Sequence, residues 1–335
     1  MAFSNTYDTT NTGSAVSNRE DLTSSLTILA PEETPVLSSA TKSKANATYV
    51  EWTVDSLAAP VTTGVAEGAD VTTFTDKFAN RARLGNYVQK FRRDYMVSDL
   101  QNAAQSVGPA NIAQAELKAI RELKRDVEAT LMSDNEMTVE DGAGTPYGLR
   151  GLGKWIQSTA QATNPVPATY RTPAGSIWGV SAPNTGNFTE TSLNNLITSI
   201  ARVSGTANSL TLIADSALRR VISDFARASG DVTNATRAVN YNGDVAKIKL
   251  SVELYESDHG IVSIVNMNFD CAPDTTDKDT GFLINPDYYG VAEFIPMGST
   301  RLPNFGGGER GYVDTTLTLL VNHPGAHGKI TDVTA

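Results

Sequence analysis

The sequence predicts an α+β chain on three observations. One uninterrupted helical pattern spans 110–132. Two strand patterns, at 48–57 and 83–93, bracket a long polar excursion. A helix–strand–helix unit and several alternating strands fill the C-terminal half. The length of 335 residues allows two or three compact units, and 40% apolar with 19% charged residues reads as globular.

The first 21 residues are rich in Ser, Thr and Asn and lack apolar periodicity, which reads either as a frayed tail or as an arm. Leu22–Leu29 and the following EETPVLSS read as a short helix and a turn. In TYVEWTVDSL, Val50, Trp52 and Val54 share one face of a strand. RLGNYVQKFRR at 83–93 is expected to return beside it as a single strand. The stretch between them has no core period and is longer than the roughly 15 residues a compact domain usually leaves unstructured. It either finds its partner on another subunit or is a disordered flap.

The segment ANIAQAELKAIRELKRDVEATLM has no interior Gly or Pro and follows Gly108-Pro109, a suitable helix entry. Its expected apolar stripe is Ala113, Leu117, Ile120, Val127 and Leu131, with Leu123 beside it. Lys118–Glu122 and Lys124–Glu128 stand at i,i+4 spacing as expected surface pairs. A helix of this length runs about 35 Å and crosses a whole domain. The Gly- and Pro-dense region after it is expected to be held down by Trp155, Ile156, Ile177 and Trp178. Its GLRGLGKW lacks the spacing of a phosphate-binding loop.

Thr189 or Asn187 is positioned to cap a helix with Leu193, Leu196, Ile197 and Ile200 inward. SLTLIA at 209–214 is a strand, and Asp215 or Ser216 caps the next helix through Leu218, Val221, Ile222 and Phe225. AKIKLSVELY at 246–255 is expected to turn Ile248, Leu250, Val252 and Leu254 to one face and to pair with 261–265 across Asp258-His259-Gly260. Residues 281–284, 291–295 and 313–321 are further strands. The last presents Val313, Thr315, Leu317, Leu319 and Val321 on one face.

Chemistry-bearing patterns are sparse. The single Cys271 excludes an intrachain disulfide framework and has no basic neighbour to activate it. His259, His323 and His327 read as turn histidines, and Pro324-Gly325 prevents a helical metal-ligand pair. Asp274, Asp277 and Asp279 depart from the calcium-loop spacing. No metal or cofactor is expected. There is no charged-then-apolar leader and no run of 18 apolar residues, so the expectation is a soluble intracellular product with a reduced thiol and no membrane partner. A net charge of -10 argues against a broad basic face for nucleic acid. Glu67 and Asp70 sit at the tip of the excursion, where carboxylates can meet cations on a neighbour. Arg81, Arg83, Lys90, Arg92 and Arg93 are five cations within 13 residues. Without interleaved aromatics they favour protein–protein contact over phosphate.

The order of arm, strand–excursion–strand, long helix, helix–strand–helix and closing strands resembles the major capsid proteins of tailed bacteriophages, the HK97-like phage capsid fold shared with encapsulins. The chain is more closely similar to one family of phage major head proteins through DLTSSLTILAPEETPVLS, YVEWTVDSLAAP, VAEGAD, NYVQKFRRDYMVSDLQNAAQSVG, GLRGLGKWI and GERGYVDTTLTLLVNHPGAHGKI.

The resemblance implies an N-terminal arm over 1–47 and an E-loop hairpin with its flanks over 48–93. It implies a peripheral domain over 94–189 with a spine helix at 108–133, an axial domain over 190–280, and peripheral return strands with the C-terminus over 281–335. It further implies a non-enzymatic structural protein that self-assembles as hexamers and pentamers into an icosahedral head. That head encloses double-stranded DNA without sequence-specific binding, sits in the virion and is assembled in the host bacterial cytoplasm. Implied partners are a portal protein and, where used, scaffolding and cement proteins. Some capsids of this fold weld subunits through a Lys–Asn isopeptide bond, and Lys77 lies in the corresponding loop without an evident partner. The alternatives are an encapsulin-like compartment shell and a hydrolytic enzyme using one of the histidines, the second disfavoured by the missing triad signatures.

Overall fold

The computed structural model describes residues 33–104, 111–179, 187–205, 209–228, 239–242, 245–248, 253–273, 279–331 and 333. The expected helix at Leu22–Leu29, the Gly108-Pro109 entry, Leu250, Val252, Asp274 and Asp277 lie outside the described residues.

The described chain starts with α1 (Pro35–Ser39) and β1 (Thr41–Lys44), followed by β2 (Tyr49–Val54). After the excursion, β3 (Ala82–Tyr87) returns antiparallel to β2 with Leu84 opposite Trp52. The segment 83–93 is two strands and not the single strand expected. At Val88 the chain leaves β2 and enters β4 (Gln89–Val97), which belongs to another sheet. The physical reason is a change of parity. Leu84, Asn86 and Val88 are buried on one side of the crossing, Phe91 and Tyr95 on the other, so the inward set passes from even to odd numbers.

Ser98 accepts a bond from the Gln101 amide to cap α2 (Asp99–Ala103), and Asn111 does the same from Gln114 for α3 (Ile112–Met132). The long helix forms as its periodicity predicts, with Leu123, Val127 and Leu131 buried and Ile120 half-buried as expected, but the stripe is rotated in its first half. Ala119, Leu123, Val127, Glu128, Leu131 and Met132 face inward, whereas Ala113 and Leu117 are exposed. Lys118 and Glu122 pair at 3.9 Å. The expected Lys124–Glu128 pair does not form, because Glu128 lies on the buried face.

Next come α4 (Leu152–Trp155), β5 (Ile177–Trp178), α5 (Glu190–Ser204), β6 (Ser209–Ala214) and α6 (Ser216–Ala228). Thr189 caps α5 in a reciprocal capping box with Ser192, and Gly205 ends that helix in the left-handed conformation at φ 73°. The remaining strands are β7 (Val239–Asn242), β8 (Val245–Ile248), β9 (Leu254–Ser257), β10 (Gly260–Asn266), β11 (Gly281–Ile284), β12 (Tyr289–Leu302), β13 (Glu309–Val321) and β14 (Gly328–Ile330). The expected strand over 246–255 does not pair as one: β8 pairs with β7, and only β9 pairs with β10 across Asp258 and His259, with Leu254 exposed and Tyr255 and Ser257 half-buried.

Two sheets organise the structure. The first has the order β1-β12-β13-β4, with β1 added parallel to β12 and the other neighbours antiparallel. α3 packs across β4 and β13, so that Leu123, Val127 and Leu131 meet Phe91, Val313, Leu317 and Leu319 in one core. The second sheet has the order β5-β14-β11-β6-β10-β9. α5 and α6 bury Leu193, Leu196, Ile197, Ile200, Leu218 and Ile222 with β6 and β10 in the second core. Phe282 and Ile284 of β11 join the first core while Leu283 between them joins the second, so the alternation of one strand fastens the two together. Trp155, Ile156 and Trp178 are buried and Ile177 is half-buried, as expected of the Gly- and Pro-dense region.

The rotated stripe on α3 has a direct consequence for stability. Leu123→Ala should lower unfolding stability by about 2–5 kcal/mol, whereas Leu117→Ala should change it by less than about 0.5 kcal/mol, both read from urea midpoints. Equal losses would contradict the observed helix face.

Candidate assembly interface

The excursion between β2 and β3 is a projecting hairpin. From Leu57 to Arg81 every residue is exposed, including apolar ones: Leu57 is 98%, Val65 85% and Phe74 86% accessible. Isolated exposed apolar side chains are ordinary; here a whole segment of them has no inward face. Glu67 stands beside Gly68, whose φ of 77° makes the turn, and Asp70 follows on the same tip. Lys77 lies in a second turn, 77–80, which leads into Arg81.

The arginines do not form one patch. Arg81 pairs with Asp55 at 3.2 Å and lies over the Phe78 ring at 4.5 Å; Arg83 approaches Glu51 at 3.9 Å. These two close the root of the hairpin between β2 and β3. On β4, neighbouring residues face opposite ways. Arg92 lies over Tyr312 at 5.9 Å, while Arg93 grips Asp126 of α3 with both Nε and Nη2, at 2.5 and 2.7 Å. Hydrogen bonding to Asp126 and its charge hold the Arg93 guanidinium above its ordinary value. Lys90 pairs with Asp314 at 3.1 Å. Exposed pairs of this kind contribute about 0–1 kcal/mol each, so their effect is mainly to fix direction.

Beneath the hairpin root lies a buried polar network that sequence reasoning missed. Arg150, fully buried, donates from Nε to Glu136 at 2.6 Å and from Nη2 to the carbonyls of Thr163 and Asn164. Its guanidinium lies 4.7 Å from the Trp155 ring. Its backbone exchanges bonds with the buried Asn86 side chain of β3, which also donates to the Leu319 carbonyl at 3.0 Å. Burial pulls the Arg150 guanidinium below its ordinary value, and the Glu136 carboxylate opposes that shift. Above it Tyr49 packs against Tyr87 with the rings tilted by 42° and accepts from Asn164, while the Tyr170 hydroxyl donates to the Asn80 carbonyl at 2.5 Å. The same hydroxyl lies 3.4 Å from Ser56 Oγ, so one side chain touches both ends of the excursion. GLRGLGKW carried the only signal: an arginine between glycines, followed by a tryptophan.

The groups weighed for catalysis are occupied by the fold. His327 is a fully buried core residue and not a turn residue. Its Nδ1 accepts from the Asn285 amide at 3.2 Å, and burial pushes it down to about 4, so it is neutral. Burial also lowers His323, whose ring meets Tyr170 and Tyr288 edge-on. His259 lies on the β9–β10 turn beside the Thr198 hydroxyl at 3.0 Å. Burial pushes the Cys271 thiol up to about 11, far from a reactive thiolate. Asp279 is buried. Among the described residues, no cluster of three or more His, Cys, Asp or Glu is arranged to hold a metal, and no helix is long and apolar enough to cross a membrane.

Residues 4–334 match the family described as SU10 major capsid protein. The chain belongs to that family. It is therefore a structural protein of the virion's capsid shell, and its work is that of a shell component and not of an enzyme. No curated relative matches it in sequence. Solved structures share the capsid fold along almost the whole chain. The cyanophage A-1(L) capsid is 15% identical with a TM-score of 0.64, covering 97% of this chain and 99% of that one. The capsid of cyanophage P-SCSP1u is 12% identical with a TM-score of 0.61, covering 96% and 94%. The capsid of an empty GTA particle is 14% identical with a TM-score of 0.58, covering 98% and 99%.

The Arg150 network is testable in the isolated subunit. Arg150→Met should cost about 3 kcal/mol or more, because it removes the cation beside Glu136, which keeps only the Met137 and Ala162 amides, and the buried donor to two carbonyls. Adding Glu136→Gln should restore part of that loss in a double-mutant cycle. A loss below about 1 kcal/mol in thermal unfolding would contradict the network.

Proposed function

We propose that the chain is the major shell subunit of a tailed-phage head, assembling as hexamers and pentamers into an icosahedral shell around double-stranded DNA. The observation that carries this reading is the projecting hairpin 55–81. It exposes apolar side chains along its length and is braced from below by a buried network. A segment of this kind cannot offset its ordering entropy within one subunit and gains its partners on another.

In this reading, the hairpin is the E-loop, α3 the spine helix of a peripheral domain, and the α5–β6–α6 unit with β9 and β10 the axial domain. The axial unit, expected over 190–280, is best extended to take in β11 and β14, which share its sheet. Residues 1–47 are the N-terminal arm. Glu67, Asp70 and Lys77 make inter-subunit contacts from the tip. Arg81, Arg83, Arg92 and Arg93 add to the interface from the hairpin root and the flanking strand. A portal protein occupies one vertex, with scaffolding and cement proteins as further partners. The net charge of -10 suits a container that encloses DNA by geometry and releases it, since a cationic lining would adsorb the duplex.

Electron microscopy of the purified protein under assembly conditions should show capsomers and closed shells; persistent monomers would overturn the reading. Reversing charge at the tip, with Glu67→Lys and Asp70→Lys together, should leave subunit stability within about 0.5 kcal/mol of wild type. The same change should raise the protein concentration needed for assembly about tenfold or more. Unchanged assembly would remove these two residues from the interface.

A further inference from the structure

Residues 33–45 form a strap across the first core, and its attachment is chemically unusual. The Glu128 side chain, fully buried in the last quarter of α3, receives the Val36 amide on one oxygen at 2.7 Å and the Leu37 amide on the other at 2.8 Å. Pro35 has no amide hydrogen, so these are the first two donors of α1. Two further side chains hold the same few residues: Tyr289 donates to the Val36 carbonyl, and Asn268 donates to the Glu33 carbonyl at 2.7 Å. Beyond α1 the strap adds β1 to the edge of the sheet, where the Gly290 Cα faces the Thr41 carbonyl so closely that a Cβ would stand 2.6 Å from its oxygen. α1 is thus held by the burial of Val36 in the first core and by side-chain bonds to its backbone, two of which end on the Glu128 carboxyl.

We propose that the Glu128 carboxyl is a proton-sensitive latch on this strap, docked when it carries a proton and loosened as the proton is lost. No cation is paired with it to stabilise its charged form. The groups facing it are the Tyr289 phenol on β12 and the Cys271 thiol after β10, both pushed up by burial and hence neutral. Arg125, nearly one turn back on α3, is committed to Asp270 at 2.5 Å. On the strap itself Glu33, Lys42 and Lys44 are exposed, and Lys42 pairs with Glu293 at 3.3 Å.

Desolvation outweighs the two amide bonds and raises the Glu128 carboxyl from 4.5 to about 7. Lifting the strap returns it to water and to its ordinary value. The docked state therefore holds the extra proton, and the direction follows from linkage. Docking is fully favoured below the ordinary value of 4.5, and the advantage is lost as pH rises through about 7. The lifted fraction can grow by up to about two orders of magnitude across that window.

Hydrogen exchange on the full-length wild-type subunit, with α5 peptides as internal reference for intrinsic rates, tests the latch between pH 5.5 and 8.5. Peptides over 33–45 should lose protection relative to α5 by tenfold or more as pH rises, and Glu128→Gln should abolish that dependence. Strap protection that tracks α5 throughout, or an unchanged pH dependence in Glu128→Gln, would overturn the proposal. Should Glu128→Gln not fold, a carbon-detected NMR titration of the wild-type Glu128 carboxyl decides instead: a midpoint near neutrality supports the latch, and one near the ordinary carboxylate value refutes it.

Discussion

The buried face of α3 is the constraint on which the rest of the molecule depends. Leu123, Val127 and Leu131 have no exposed surface, and they lie against strands that are far apart in sequence, β4 before the helix and β13 near the end of the chain. That one contact closes the four-stranded sheet over a 21-residue helix. It fixes the line of β4, and hence the point at which β3 must leave it and the direction in which the hairpin projects. The helix also carries, on the same face, the carboxyl that holds the strap. Its C-terminal end meets the α4 region, where Gly151 lies so close that a Cβ would stand 2.1 Å from the Ser133 carbonyl. Moving α3 would displace the strap, the hairpin root and the Arg150 network together.

Legibility in the sequence followed the range of the interaction that fixes each element. Local chemistry was readable: Thr189 as a cap, the uninterrupted pattern of α3, and the alternation from Val313 to Val321. Features decided by distant partners were not. The break at Val88 is a single residue within a strand-forming run, and only the two competing sheets show why the pairing changes there. Glu128 stands four residues after Lys124, a spacing that suits a surface pair just as well as the buried contact it makes. The burial of Arg150 was not legible because its partners, Glu136, Thr163 and Asn164, lie 13 or 14 residues away with no periodic relation to it. The concentration of arginines between 81 and 93 was visible, but their separation onto two sheets and two faces of β4 was not. The excursion was found by its lack of a core period, and its exposure follows from that same lack.

The arrangement suits a shell component. Rigid parts and projecting parts are kept apart: two cores joined through the alternating side chains of β11 supply the stability, while the hairpin adds exposed apolar and charged groups without contributing to either core. Surface ion pairs at the hairpin root are weak individually, yet they aim the projection. Identical subunits that each present such a projection can build many contacts whose effects multiply around a closed surface. The lone buried thiol plays no part in this, so packing, charge or a crosslink not involving cysteine must hold neighbouring subunits together.

The central claim is that residues 55–81 are ordered by neighbours and not by their own subunit. Hydrogen exchange compared between free subunits and assembled particles tests it most directly. The account expects amides over 57–81 to exchange almost freely in the subunit and to gain at least tenfold protection in the particle, while α3 and β13 stay protected in both. Protection over 57–81 that is already complete in the free subunit, or that does not change on assembly, would contradict it.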